Sequence, residues 1–293
     1  MKKCPLCAGK GSDLAFPYET NWNGNEFQYI GCDECGTAFL VPQPSETDFE
    51  KMYAKENYYD AHYNNIELGH YKVSIANMMK YCDGRRSILD FGCGNGGFLT
   101  VAQQNDFLCC GVEYNDKVIE KAHQNSGVPV HNFEYIKKSG QEFDIIHLGD
   151  VLEHIPAPRA MIEELRELLS PDGLFFIEGP LENNPSLVYF SAVSIKAARR
   201  NLKIDSPGTF TPNHLFLTNK KAILYFFSEV LKFRCLNFEI YETGWPYLST
   251  DKVPSSIGYL IKSVIGLSAV ILSKIDIFRN KTLGNRFIGI FQL

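Results

Sequence analysis

From residue 87 onward, short apolar runs alternate with stretches whose apolar positions recur every three or four residues. The runs at 87–91, 107–113, 128–132, 143–148 and 174–178 have the length of strands and are too short for buried helices. Between them, 97–105, 115–126 and 158–170 carry helical spacing. In the last of these Met161, Ile162, Leu165, Leu168 and Leu169 make one apolar stripe. Regular alternation of strand and helix predicts a parallel, doubly wound α/β sheet. Ser170-Pro171-Asp172-Gly173 reads as a turn before the fifth strand. Thr218 is placed to cap a helix over 220–230, and 233–241 and 286–292 read as two more strands.

Three stretches fall outside that rhythm. Residues 46–81 have helical spacing and many aromatics, with Tyr58 and Tyr59 as candidates either to cover a ligand or to fill core. Between 179 and 211 the pattern is broken by Pro180, Pro185 and Pro207 and by a basic amphipathic run at 194–203. This reads as a substrate lid inserted at about 179–216. The stretch 254–277 is apolar, but Lys262 and Lys274 interrupt it, so it falls short of a bilayer span. It either packs on the sheet or on a second copy, or lies on a membrane beside Arg279, Lys281 and Arg286, within reach of a lipid-linked glycan.

Chemistry concentrates first at 89–99, Leu-Asp-Phe-Gly-Cys-Gly-Asn-Gly-Gly-Phe-Leu. A strand runs into a glycine-rich turn and then into a helix, where backbone can approach a ligand closely and aim free N–H groups at it. Gly92-x-Gly94-x-x-Gly97 satisfies the dinucleotide fingerprint, so the glycines alone do not choose a cofactor. Asp90 does. A carboxylate two residues ahead of Gly92 repels a pyrophosphate and suits a phosphate-free cofactor with a cationic amino group, such as S-adenosylmethionine (SAM). Glu113, ending the next strand, suits a ribose diol under either reading.

The second concentration is Cys4-x-x-Cys7 and Cys32-x-x-Cys35. Two such pairs flanking strand-like 27–30 and followed by strand-like 37–41 make a zinc-ribbon layout, with four thiolates closing a structural Zn2+ site. A single redox pair competes with this reading, but the duplication argues against it. Pro42-Gln43-Pro44-Ser45 is a natural boundary. The expected organisation is therefore a ribbon at 1–45, a helical linker at 46–85 and an α/β domain at 86–293, with insertions at about 179–216 and 246–284.

Composition narrows the function. A net charge of −5 argues against nucleic acid as the main partner. Met1-Lys2-Lys3 leads into Cys4-Pro5 with no apolar segment, and nine cysteines without a leader suit thiols and metal. A cytoplasmic place, or one peripheral to the inner face of a membrane, is the expectation. Cys82, Cys93, Cys109, Cys110 and Cys235 read as small buried hydrophobes.

Asp90 to Gly96 resembles motif I of the class I SAM-dependent methyltransferases. Their fourth strand is commonly followed by an acid, an apolar pair and Glu-His, as in Asp150-Val151-Leu152-Glu153-His154. The resemblance implies a Rossmann-like seven-stranded sheet with an antiparallel last strand. It also implies cofactor contacts at Asp90, Gly92, Gly94, Gly96, Glu113, Tyr114, Asn132, Phe133, Leu148 and Gly149, with Asn132-Phe133 at a strand end beside an adenine. Together with the ribbon, these motifs resemble the zinc-ribbon methyltransferases of sugar and surface-glycan pathways, including deoxysugar C-methyltransferases. In the latter a histidine at the place of His214 serves as base within Tyr-x-Glu-His. Here the run is Thr211-Pro212-Asn213-His214. Loss of the tyrosine and glutamate favours O-methylation of a nucleotide sugar or lipid-linked glycan over C-methylation.

A sugar hydroxyl needs a base, and histidine suits that task. His214 is the first candidate and His154 the second. A nicotinamide-dependent oxidoreductase is disfavoured by Asp90 and by the lack of a second nucleotide-binding half. A non-catalytic zinc-ribbon interaction protein is disfavoured by intact Asp90, Gly92, Gly94 and Glu113.

Overall fold

The computed structural model describes residues 2–53, 68–202, 211–248, 257–275 and 282–293. Two sheets organise them. The larger contains β4 (Ser87–Phe91), β5 (Leu108–Val112), β6 (Val130–His131), β7 (Phe143–Gly149), β8 (Leu169–Pro180), β10 (Arg234–Tyr241) and β11 (Arg286–Gln292). Their order is β10-β11-β8-β7-β4-β5-β6. β11 runs antiparallel to both its neighbours, and every pairing from β8 to β6 is parallel. This is the expected α/β, doubly wound, Rossmann-like sheet with an antiparallel last strand.

The central strands are mostly apolar because helices cover both faces. Successive side chains point to opposite sides. Ile88, Ile145 and Phe176 thus join one cluster with Phe98 and Ile290. Leu89, Ile146, Phe175 and Ile177 join the other. Helices Gly97–Gln104, Asp116–Ser126, Phe133–Ser139 and Pro158–Arg166 fill the crossovers.

The smaller sheet holds β1 (Gly11–Trp22), β2 (Asn25–Cys32), β3 (Ala38–Val41) and β9 (Phe216–Leu217), in that order and antiparallel throughout. β1 and β2 form a hairpin around Asn23 and Gly24, at φ of +52° and +80°. Asn-Gly favours such a turn because both positions need positive φ. β9 comes from the segment that carries His214, and it hydrogen-bonds to the edge of β3. Tyr29, Phe39 and Leu40 of the small sheet share one apolar cluster with Phe216, Phe226 and Phe175.

The structure refines several boundaries. The helical stretch after residue 45 contains Glu46–Tyr53 and Gly69–Met79; Tyr58 and Tyr59 lie outside the described residues. Residues 170–173, expected as a turn, belong to β8, where the register with β7 shifts between Leu169 and Leu174. The third strand expected from the sequence, 128–132, narrows to Val130–His131 because Asn132 instead opens a helix. Its side chain accepts from Tyr135 N at 2.9 Å. The helix Lys220–Leu224, continued by a wider turn Tyr225–Val230, is capped by Asn219 rather than Thr218. Asn219 Oδ1 accepts from Ala222 N at 2.9 Å, while Thr218 Oγ1 donates to Pro180 O. The lid segment contributes helix Leu187–Asn201, and the apolar stretch contributes helix Ile257–Lys274.

Asn219 also donates through Nδ2 to Gly36 O at 3.0 Å, tying that helix to the cysteine turn. Asn219→Ala removes both the cap and this tie, and should cost about 1–2 kcal/mol in urea unfolding.

Candidate active site

β4 delivers the glycine turn. Gly92, Gly94 and Gly96 have φ of +77°, +53° and +83°, which side chains rarely adopt. A Cβ on Gly92 would also lie 2.5 Å from Val151 Cγ2. The expected outward-facing N–H groups are spent inside the protein. Gly92 N and Cys93 N donate to Val112 O, Gly96 N to Cys93 O, and Gly97 N to Asn95 Oδ1. Gly94 N donates to Glu113 Oε2 at 3.1 Å. Such a turn offers little to a pyrophosphate, whose binding relies on free N–H groups and a positive field.

Glu113 follows β5 and also accepts from Tyr114 N at 2.8 Å. Burial raises its pKa, and those N–H groups oppose the rise. Asp90 does not stand above the turn. Its Oδ1 lies 2.7 Å from His147 Nδ1 on β7, and its buried Oδ2 has no hydrogen-bond partner among the described residues. His147 Nε2 lies 3.2 Å from Glu178 Oε1 on β8. Ser74 Oγ donates to the other oxygen of Glu178 at 2.7 Å. The His147 ring stacks on Phe98 at 3.7 Å. Burial disfavours the imidazolium, but Asp90 and then Glu178 outweigh it and raise the pKa to about 9.

The other expected cofactor contacts differ in exposure and packing. Tyr114 is exposed and Leu148 fully buried. The His147 ring occupies the space a Cβ on Gly149 would need. Phe133 meets Phe91 edge-on at 5.3 Å, with Lys137 Nζ 4.9 Å from its ring centre.

A second cluster lies past β7. Asp150, at φ +54°, donates its N–H to Glu178 O and receives both its carboxylate bonds from Arg286 Nη2, at 2.7 and 2.8 Å. The turn Leu152–His154 then presents Glu153 and His154. His154 Nδ1 donates to Asn213 O at 2.9 Å, and the His154 and His214 rings meet edge-on at 4.8 Å. His214 Nδ1 lies 2.6 Å from Glu182 Oε2. Leu215 N donates to Glu153 O, and Tyr29 OH of the small sheet donates to His214 O at 2.8 Å.

The two histidines are driven apart electrostatically. Burial and the neighbouring His214 push His154 down to about 3. Burial opposes protonation of His214 as well, but Glu182, Glu153 and Asp150 outweigh it and raise it to about 9. Burial raises Glu153 to about 7 against the pull of His214. Glu153, His154 and His214 each place a possible ligand atom within 4.8 Å of the other two.

A family model described as a methyltransferase domain matches residues 61–223, more than half of the chain. The chain belongs to the methyltransferase-domain family. The chain is 29% identical over 145 residues to a ubiquinone biosynthesis O-methyltransferase of Saccharophagus degradans, covering 47% of this chain and 60% of that protein. For the enzyme of the same name from Coxiella burnetii the values are 28% over 111 residues, 36% and 47%. The chain thus spans about half the length of the curated relatives it matches. A SAM dependent methyltransferase from Archaeoglobus fulgidus superposes with a TM-score of 0.51 at 21% identity, covering 81% of this chain and 98% of that one, and shares the fold.

This methyltransferase-family chain also brings its four expected thiols together. Cys4 and Cys35 sulfurs lie 3.7 Å apart, and Cys7 lies 3.5 Å from both Cys32 and Cys35. Tetrahedral zinc with bonds of about 2.3 Å sets its sulfurs roughly 3.8 Å apart, so the four fit that ion.

Several site residues escaped the sequence reading. Tyr71 lies against Gly97, filling the space its Cβ would take. His147, Glu178 and Ser74 pair across strands, and Glu182 and Arg286 bind groups that the motifs had suggested. His147 lies among apolar neighbours at 145, 146 and 148, and an ionisable residue inside such a run was the available signal.

A buried His147 with a raised pKa stabilises the fold while the unfolded chain's histidine is less basic. That contribution is fully present below about pH 6.5 and is lost as pH rises through about 9. In urea unfolding across this range, His147→Gln should flatten the decline, leaving the part contributed by His214.

Proposed function

We propose that this chain is a SAM-dependent methyltransferase that transfers a methyl group to a hydroxyl of a sugar or glycan intermediate. The observation that carries the cofactor is the self-satisfied glycine turn. Five of its N–H groups bond within the protein, Glu113 borders it and the Asp90 carboxylate precedes it, which favours a phosphate-free, cationic ligand over a dinucleotide. The orphaned Asp90 Oδ2 and the left-handed glycine turn fit such a molecule. Gly92, Gly94 and Glu113 would hold it, with Asn132 and Phe133 at its adenine end. When bound, SAM supplies a methyl group on a good sulfonium leaving group. The relatives named O-methyltransferases support oxygen as acceptor atom. The sugar or glycan class rests on the ribbon and motif resemblance.

The chain's own residues then have three tasks. They align the acceptor oxygen with the methyl group, which supplies much of the rate in an in-line displacement. They exclude water around the buried Glu153 and the partly buried His154. They take the hydroxyl proton as the C–O bond forms and the S–C bond breaks. His214 suits that last task. Glu182 holds its Nδ1–H, so the proton goes to Nε2, and the imidazole is about a quarter exposed toward an acceptor. His154, held by Asn213 O, is the neutral neighbour that shapes the pocket wall. C-methylation remains the second reading for the acceptor atom, since His214 is kept while the tyrosine and glutamate of that pattern are replaced by Thr211 and Asn213.

The four cysteines would hold one structural zinc, and residues 1–45 together with β9 would form the ribbon around it. The ion would tie down the cysteine turn and take no part in the chemistry.

Thermal melting with S-adenosylhomocysteine, with NAD and without ligand tests the cofactor. A rise with S-adenosylhomocysteine alone is expected, and a rise with NAD alone overturns the reading. His214→Ala should keep S-adenosylhomocysteine binding and lose at least about tenfold in turnover on a panel of nucleotide sugars and glycans. Because the base form of His214 appears only as pH rises through about 9, activity should climb over that range. Glu182→Gln should shift the climb to lower pH. Elemental analysis should find one zinc per chain, and freely titratable Cys4, Cys7, Cys32 and Cys35 with no metal would contradict that.

A further inference from the structure

Helices Leu187–Asn201 and Ile257–Lys274 pack against each other. The second is built inside out. Its buried positions include Gly266 and Ala269, and Gly266 lies so close to Gly244 O and Leu248 that a Cβ would crowd them. Its large aliphatic residues face outward: Leu260, Val264, Leu267 and Ile271 are 50–55% exposed. Their spacing of four, three and four residues puts them on one helical face. Phe190 and Ile195 of the first helix add exposed apolar surface beside it. A helix of a water-borne protein turns such a stripe toward its core, and contiguous exposed apolar surface of this kind marks a contact.

Charge selects the partner. Neither helix contains an aspartate or glutamate. Lys262 and Lys274 are exposed on one, and Arg199 and Arg200 close the last turn of the other. Lys274 lies within about 60° of the stripe's centre, whereas Lys262 lies on the opposite side of the helix. Two copies meeting through this face would bring their Lys274 side chains together with no carboxylate from either helix to pair them. An anionic lipid surface neutralises them and buries the aliphatic stripe at once. No helix among the described residues is long and apolar enough to cross a membrane, so the contact would lie in the plane of the interface.

We propose that this helix pair is a docking surface for an anionic lipid bilayer. The two helices leave the sheet where β8 and β10 end and β11 begins, and Arg286 pairs with Pro180 there. The glycine turn and Glu182 lie at that same carboxyl edge. Docking therefore sets the mouth of the site at the lipid–water boundary. The proposal stands on the surface itself and does not depend on the reaction assigned to the site.

Flotation of the full chain with phosphatidylcholine vesicles, with and without phosphatidylglycerol, tests it. The chain should float with the phosphatidylglycerol vesicles, less so as salt is raised. The doubly substituted Leu267→Glu, Ile271→Glu chain should bind them at least about tenfold more weakly. Lys274→Glu should weaken the preference for phosphatidylglycerol, and Lys262→Glu, on the far side of the helix, should change it less. Unchanged melting temperatures for these variants would show that they remain folded. Failure to float, flotation indifferent to phosphatidylglycerol, or a stable dimer in light scattering that Leu267→Glu, Ile271→Glu dissolves would each overturn the proposal.

Discussion

Three adjacent central strands each contribute one ionisable side chain to the interior: Asp90 from β4, His147 from β7 and Glu178 from β8. None of these groups is affordable alone at such depth, because an unpaired buried charge costs several kcal/mol (about 3–5 when one partner is removed). Together they form a chain in which one cation lies between two anions. Ser74 extends it into the helix Gly69–Met79. The side chain of the motif aspartate is thereby held below the glycine turn.

The consequences spread outward from that array. With Asp90 paired to His147, the turn's N–H groups bond to Val112 O, Cys93 O and Glu113, so Glu113 rather than free N–H groups borders it. On the other side, the backbone carbonyl of Glu178 receives the N–H of Asp150, and Asp150 binds Arg286 of β11. The antiparallel strand near the sheet's end is thus wired to the segment that presents Glu153 and His154. Two proton-handling regions, one around His147 and one around His214, share a carboxylate-rich lining but differ in access. His147 is sealed beneath Phe98, whereas His214 opens outward.

Much of this was legible in the chain. The central strands of the large sheet were readable because a covered parallel strand is apolar at most positions. The cysteine pairs and the glycine turn carry their chemistry in spacing alone. Pairing across strands is different. His147 lies 57 residues from Asp90 and 31 from Glu178, and His214 lies 32 from Glu182. No local pattern records those meetings. Thr218 and Asn219 are both good helix caps, so only the geometry of Pro180 and Gly36 chooses between them. β9 is two residues long and exists as a strand only because β3 offers it an edge.

That last strand bears on how the protein comes to be folded. Tyr29 reaches a carbonyl 185 residues later in the chain, and β3 waits for the same distant segment. Contacts of such sequence separation form slowly, since the intervening chain must first surrender its freedom. Until Phe216 and Leu217 arrive, β3 shows an open edge of unpaired backbone groups, a template for the wrong partner. The small sheet is therefore made well before it is completed, and its safety in the interval depends on how quickly residues 211–217 follow.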